Sequence, residues 1–241
     1  MSGLIIASAI VGTLAAYMLS KVLYKRFKTI IFSPIVLAPV ILIGTLVIGD
    51  IPYTSYKEGA DSISYLLGPA TVAFAVPIYK NLHLLKKHGV EIILSVASGT
   101  MIAMFSSLLL AFLFHFDHLL TNSLVPRSIT IPIAVNVSQT LGGDPSLTIL
   151  FVIITGIVGA YAGPKLIKLL TLRSSVARGL LLGVSAHGTG TARAFEFGTL
   201  EGTFSSLAMI MTALLTLIIS TALLPFFFFI SQYGSFLLHM K

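Results

Sequence analysis

Long apolar stretches alternate with short polar segments along almost the whole chain. Seven stretches are clear and an eighth is ambiguous. They cover residues 3–20, 30–49, 63–79, 90–114, 121–143, 147–170, 174–198 and 204–230. Because a transmembrane helix needs about 20 mostly apolar residues, the pattern predicts an all-α integral membrane protein with about seven to eight membrane segments.

The composition argues against a water-soluble protein. Charged residues form only 10% of the 241 positions and hydrophobic residues form 56%. A soluble domain carries about 25% charged residues, so this chain has too few to cover a water-facing surface. The apolar stretches leave no room for a soluble domain, and we expect one membrane domain over residues 1–241. The absence of cysteine excludes disulfides and thiolate metal sites.

The net charge of +7 comes from basic residues that follow apolar stretches. The clusters are Lys21, Lys25, Arg26 and Lys28; Lys80, Lys86 and Lys87; and Lys165, Lys168 and Arg173. Such clusters follow the positive-inside rule, so we expect a multi-pass protein of a bacterial-type cell membrane, with no nucleic-acid partner. With the first cluster in the cytoplasm, the N-terminus and the polar loop 50–61 lie outside. The third cluster reaches the cytoplasm only if 121–143 is broken or re-entrant, as we expect.

Helix-breaking residues interrupt the third stretch at Gly68, Pro69 and Pro77. Proline lacks the N–H of a helical bond and its ring clashes with the preceding turn. The freed backbone groups then need partners at membrane depth, and a bound solute could supply them. Pro69, Ala70 and Thr71 are therefore candidate solute-binding residues. A simple kink is the alternative interpretation.

Arg127 lies in the otherwise apolar segment 125–136. An arginine at the centre of a membrane helix costs about 2.5–3.5 kcal/mol, so it is expected to face a cavity, a carboxylate or an anionic ligand. Ser128 and Thr130 follow at the possible start of a half-helix, where free N–H groups favour an anion. Asn136 completes this candidate set. The alternatives are that Arg127 reaches the outer headgroups or pairs with Asp117.

The densest polar group lies at 185–196. Its candidate solute-binding residues are His187, Gly188, Thr189, Gly190 and Thr191. Glycine lets the backbone approach a ligand closely, and histidine changes charge near neutral pH, which suits proton coupling. A packing role is the alternative for the histidine. Proton coupling or ion pairing is expected for Arg193, Glu196 and Glu201, since residues three apart on a helix meet.

Other patterns are weaker. The spacings Gly159-x-x-x-Gly163 and Gly179-x-x-x-Gly183 allow close helix packing, inside the bundle or in a homodimer. The likeness of PATV at 69–72 to PRSI at 126–129 is typical of repeat-based transporters with broken helices in matching positions. No G-x-S-x-G or H-E-x-x-H motif is present, so we expect no enzyme, cofactor or metal site.

These segments give the chain a family resemblance. The matching stretches are PATVAFAVPIYKN at 69–81, VPRSIT at 125–130, LGGDPSLTILFVIITG at 141–156, and SAHGTGTARAFEFG with EGTFSSLAMI inside 185–210. Over nearly its whole length the sequence resembles the LrgB/CidB family of membrane proteins, and is closer to the CidB branch. Where the family pattern leads us to expect a glutamate, this chain has Asn136, so any proton coupling must use another group such as His187 or Glu196.

The resemblance implies two different functions. Bacterial members are described as holin- or antiholin-like regulators of murein hydrolase activity and cell lysis, often beside a small LrgA/CidA-type partner. Other relatives resemble carriers of pyruvate, glycolate or glycerate. A carrier requires fixed polar groups in broken helices at midplane, whereas a lesion former requires mainly oligomerising helices that tolerate lipid. The polar segments therefore favour a small-monocarboxylate carrier, with lysis control as the alternative. In the carrier, we expect the broken segments 66–80, 123–136 and 184–196 to meet at a midplane site, where Arg127 and the region of Thr189 and Thr191 hold the carboxylate.

Overall fold

The computed structural model describes residues 2–27, 29–66, 69, 72–73 and 75–222. Every regular element in these ranges is a helix, which confirms the all-α prediction for this part of the chain. The chain divides into two compact units, Met1–Val76 and Pro77–Lys241. The expectation of a single domain therefore stays a prediction.

The first unit is built on a long apolar helix. Helix α1 covers Ser2–Phe27, a short 3-10 helix covers Ile30–Phe32, α2 covers Pro34–Ile48 and α3 covers Tyr53–Ser64. Most of the segment 50–61, expected as a polar loop, is thus helical. The reason is an amphipathic face: Tyr56 hydrogen-bonds Thr13 of α1 at 3.0 Å, and Gly59 lies so close to Ala9 that a Cβ would clash. Lys57 and Glu58 stay exposed.

The second unit contains the remaining helices, except for the first two residues of the helix that begins at Ala75. They are α4 at Ala75–Lys80, α5 at Leu82–Lys87, α6 at Gly89–Leu113, α7 at His118–Leu124, α8 at Ile131–Leu141, α9 at Pro145–Leu169, α10 at Ser175–Phe197 and α11 at Thr199–Ala222. The helical path is interrupted between Leu124 and Ile131, inside the segment for which a broken or re-entrant path was expected. The interruption contains Pro126, and a second proline, Pro132, lies in the first turn of the next helix.

Four of the described helices are long and apolar enough to cross a membrane. They cover Ile5–Phe27, Gly89–Leu113, Pro145–Leu169 and Thr199–Ala222. Helix α2 is apolar but has only 15 residues, and α10 is more polar than the four. The structure therefore supports a multi-pass protein, while the predicted count of seven to eight segments is not confirmed. The last expected stretch, 204–230, extends past Ala222, beyond the described residues.

Glycines bring three long helices of the second unit close together. A Cβ added to Gly159 of α9 would lie 2.5 Å from the Ala186 Cβ of α10. A Cβ added to Gly183 of α10 would lie 2.3 Å from the carbonyl oxygen of Ser205 on α11. The glycines of both G-x-x-x-G spacings thus serve close helix packing within the chain, as in a helix bundle. A homodimer, which is not shown, would need another surface.

Candidate functional site

Helix α10 is broken at His187. This residue has φ 42° and ψ −125° between two helical halves, close to the first central position of a type II′ turn, where glycine dominates. Its side chain is only 6% exposed, and Nε2 lies 3.1 Å from the carbonyl oxygen of Val152 on α9, to which it donates when protonated there. A buried contact thus accompanies a strained backbone, a combination that persists only where the surroundings hold it in place.

Small and hydroxylated residues surround the break. Thr191 Oγ1 donates to the carbonyl oxygen of His187 at 2.9 Å and lies 3.0 Å from Ser205 Oγ. Thr189 Oγ1 donates to a backbone oxygen one turn earlier. A Cβ on Gly190 would lie 2.0 Å from a carbonyl oxygen, whereas Gly188 has space. The two threonines therefore satisfy their hydroxyls within the protein and stabilise the break.

The strain at His187 gives a direct stability prediction. The variants His187→Gly and His187→Ala both lose the ring contact and differ only by a Cβ at positive φ. We expect the glycine variant to be the more stable of the two by about 1 kcal/mol. Thermal unfolding of both purified variants in detergent measures this difference.

The control is Ala192→Gly at an exposed helical position of α10. At this position the glycine variant should be less stable than the alanine form by about 1 kcal/mol. The preference between glycine and alanine thus reverses from position 187 to position 192. A His187→Ala variant as stable as His187→Gly would contradict the strained conformation.

Arg127 lies in the interruption between α7 and α8 and donates to two hydroxyls of α6. Its Nε is 2.9 Å from Ser107 Oγ and its Nη2 is 3.0 Å from Ser106 Oγ. Within the described ranges no carboxylate lies in salt-bridge distance of it. Asp117, the partner considered from the sequence, instead caps α7 by accepting from the Leu120 N–H at 2.8 Å. The arginine is therefore a half-buried cation that two neutral hydroxyls hold in place.

A groove of about 470 Å³ runs beside Arg127. Most of its lining is aliphatic or aromatic, and Thr155 and Ser185 are the hydroxyl residues among it. The lining residues are Leu110, Leu124, Arg127, Phe151, Ile154, Thr155, Val158, Gly159, Ala162, Gly163, Leu166, Leu181 and Ser185. A pocket that is mainly apolar with a few convergent polar groups is the usual form of a small-molecule site.

Not all of the predicted residues line this groove. Arg127 lines the groove, but His187 and Thr191 do not. Helix α9 connects the two places, because its Val152 accepts from the histidine ring while its Thr155 lines the groove. The broken helix also reaches the groove directly, through Leu181 and Ser185 of its first half, whereas His187 contacts α9.

The other candidate solute-binding residues, at positions 69–136, differ in their surroundings. Ser128 is buried, Thr130 is at the N-cap of α8 without a side-chain capping bond, and Asn136 is exposed. Pro69 is exposed, and Ala70 and Thr71 lie outside the described residues. Their roles in solute binding stay predictions.

The charged candidates near α11 form ion pairs. Arg193 pairs with Glu196 one turn away on α10. Glu201, 6% exposed, lies 3.6 Å from Arg178, whose Nε also donates to the carbonyl oxygen of Leu172 at 2.8 Å. Because Glu201 is buried and Arg178 is partly exposed, removing Arg178 would leave a buried carboxylate without its cationic partner, which is destabilising. Glu201 thus joins the starts of α10 and α11.

Several polar residues of this region were missed from the sequence. Ser106 and Ser107 hold the arginine, Thr155 lines the groove, and Ser205 contacts Thr191. Thr212 is buried with a hydroxyl that has no partner among the described atoms. Isolated hydroxyls on apolar helices are common, because Ser and Thr can bond their own backbone, so the sequence offers no signal that separates these from the rest.

Comparisons with known proteins agree on one family. The model of the LrgB-like family matches residues 13–226. Protein YwbG of Bacillus subtilis is 46% identical over 214 residues, covering 89% of this chain and 95% of the relative. YxaC of the same organism is 40% identical over 203 residues, covering 84% and 88%. No solved structure matches.

A third relative carries a functional name. "Holin-like protein CidB" of Staphylococcus epidermidis is 33% identical over 216 residues, which cover 88% of this chain and 91% of the relative. The family match at residues 13–226 extends over both units.

Proposed function

The chain belongs to the LrgB-like family, and on that premise we propose that it is a membrane carrier of small monocarboxylates such as pyruvate, glycolate or glycerate. The observation that carries this proposal is Arg127, which faces an apolar groove without a carboxylate partner in the described chain. A cation kept at such cost in a membrane protein usually has an anionic ligand or a role in solute passage.

The guanidinium geometry supports a carboxylate as that ligand. Arginine has five N–H donors in a planar fork, and two of its nitrogens already donate to Ser106 and Ser107. These bonds hold the side chain in one orientation, while the remaining donors stay available for an acid. Thr155 and Ser185 lie in the same groove and offer hydroxyls to a keto or hydroxy group.

The broken helix supplies the second element of the proposal. Discontinuous helices in transporters place free backbone groups and helix ends at the solute site. The break at His187 contacts α9 through Val152, and the same helix lines the groove. A change at the break can therefore move α9 relative to Arg127, and in a carrier this movement would expose the site alternately to the two sides.

Holin-like control of cell lysis is the second candidate function. The specific observation that favours it is the name of the CidB relatives, and the comparisons alone support this candidate better than transport. The arrangement around Arg127 favours the carrier, because a lesion former does not need a fixed arginine in a groove. An LrgA/CidA-type partner, a homodimer, and a cell-membrane location with the N-terminus outside remain proposals for either function.

Initial rates of uptake separate the two functions. Purified protein is reconstituted into liposomes, and uptake of labelled pyruvate, glycolate and glycerate is measured against concentration. A carrier gives a rate that saturates and that an excess of unlabelled acid inhibits, while labelled mannitol stays outside. A lesion former gives linear rates for mannitol and acids alike, which would overturn the proposal.

A further inference from the structure

The groove continues well beyond the arginine. Its apolar arm, as we name it, consists of Val158, Gly159, Ala162, Gly163, Leu166 and Leu181. We propose that this arm binds an aliphatic tail, so that the preferred solutes are monocarboxylates with an unsubstituted alkyl chain. The inference rests on the proposed carboxylate site at Arg127 and names its substrate class.

The position of the arginine defines where the arm begins. Ile129, two residues after Arg127, packs in one buried cluster with Val152 of α9. Arg127 therefore lies toward the Phe151 end of the groove, and Leu166 marks the other end. At 1.5 Å per helical residue the groove follows α9 for about 22 Å. A three-carbon acid bound to the guanidinium would occupy only the first part of this length.

The chemistry of the arm excludes a heavily hydroxylated solute. None of its six side chains carries a hydroxyl, amide or charged group. The hydroxyl residues of the groove, Thr155 and Ser185, lie one helical turn from the arm residues Gly159 and Leu181, and the Ser185 hydroxyl already donates to the carbonyl oxygen of Leu181 at 2.6 Å. A solute hydroxyl placed against the arm would lose its water partners without replacement, which is unfavourable. An alkyl chain has no such requirement.

The shape of the arm also depends on small residues. Gly159 and Gly163 pack so closely on α10 that a Cβ would lie 2.5 Å from Ala186 Cβ and from Leu182 Cδ2, respectively. Ala162 is half-buried between them. The two glycines therefore allow α9 and α10 to lie close together along the arm. Ala162 lines the groove, and a large side chain at this position would fill it.

Chain-length selectivity follows from the burial of methylenes. Each CH₂ transferred from water to an apolar surface strengthens binding about fourfold. Unbranched acids of increasing length should therefore inhibit pyruvate uptake at concentrations that fall about fourfold per added carbon, until the tail reaches the end of the arm. Glycerate should inhibit more weakly than butyrate.

The test compares the inhibition series in three forms of the full-length protein reconstituted in liposomes. They are the wild type, Ala162→Phe, and the matched control Ala15→Phe at an exposed position of α1. The inhibitors are straight-chain acids from acetate to octanoate against labelled pyruvate. We expect the steep dependence on chain length in the wild type and in Ala15→Phe, and a dependence below about twofold per carbon in Ala162→Phe.

The outcomes separate this inference from the proposed function. Saturable pyruvate uptake with the same dependence on chain length in all three forms would show that the acids act through the bilayer. This result would contradict binding of the tail in the apolar arm, but the proposed carrier function would stand. Saturable uptake with no dependence on chain length in the wild type would do the same. Absence of saturable uptake would contradict the proposed carrier function, and therefore also the binding of a tail in the apolar arm.

Discussion

Replacing Arg127 with alanine is expected to lower the initial rate of pyruvate uptake at low concentration about tenfold or more, since a hydrogen bond to a charged group contributes about 1.5–3 kcal/mol. The groove stays apolar without the guanidinium, and a carboxylate then has no cationic partner among the described residues that line it. Uptake into liposomes with equal amounts of reconstituted protein measures the effect.

The geometry of the two serines predicts an intermediate result for lysine. Arg127→Lys keeps the charge but cannot donate to Ser106 and Ser107 while also forming a planar pair with a carboxylate. Its rate should lie between those of the wild type and the alanine variant. The matched control is Arg173→Ala in the exposed turn before α10, which should leave uptake unchanged. If Arg127→Ala takes up pyruvate at the wild-type rate, the arginine does not bind the solute.

Replacing Gly183 with valine is expected to have the largest effect on stability. A Cβ at this position would lie 2.3 Å from the carbonyl oxygen of Ser205 and 2.9 Å from the Ala208 Cβ. Because backbone atoms cannot move aside as a flexible side chain can, the contact between α10 and α11 must open. Overpacking typically costs 1–3 kcal/mol and occasionally more, and we expect about 3 kcal/mol or complete loss of folded protein.

The matched control for this substitution is Gly44→Val in α2. No atom lies within 4 Å of a Cβ built at Gly44, so the same change of side chain meets open space there. The yield of monodisperse protein and the midpoint of thermal unfolding in detergent provide the comparison. Equal stability of the two variants would show that α10 and α11 are not in this close contact.

The sequence predicts the long apolar helices well and the amphipathic one poorly. The span after Gly89 is predicted closely, because Glu91 is its one charged residue and small polar residues interrupt it only briefly. Helix α3 was expected as a loop, since its many polar residues conceal the face on which Tyr56 and Gly59 pack against α1. Hydropathy averages over all faces of a helix, and only the packing partner shows which face is apolar.

For the site, the sequence identifies unusual residues but not their partners. Arg127 and His187 are conspicuous because charged or titratable groups are expensive in apolar segments. Arg127 bonds two serines of α6, and His187 bonds Val152 of α9. These partners depend on how the helices pack, which the sequence does not show. Arg127 and Thr191 were expected at one site, but Thr191 is not among the residues that line the groove, and its hydroxyl lies against Ser205 of α11.

Counterflow in liposomes that also contain a trapped dye tests the carrier most directly. The vesicles are loaded with unlabelled pyruvate and diluted into a trace of labelled pyruvate. If the protein alternates access at a single site, the label accumulates transiently above its equilibrium level, the dye is retained, and Arg127→Ala abolishes the accumulation. If the label only equilibrates while the dye escapes, the protein forms lesions and the carrier account is wrong.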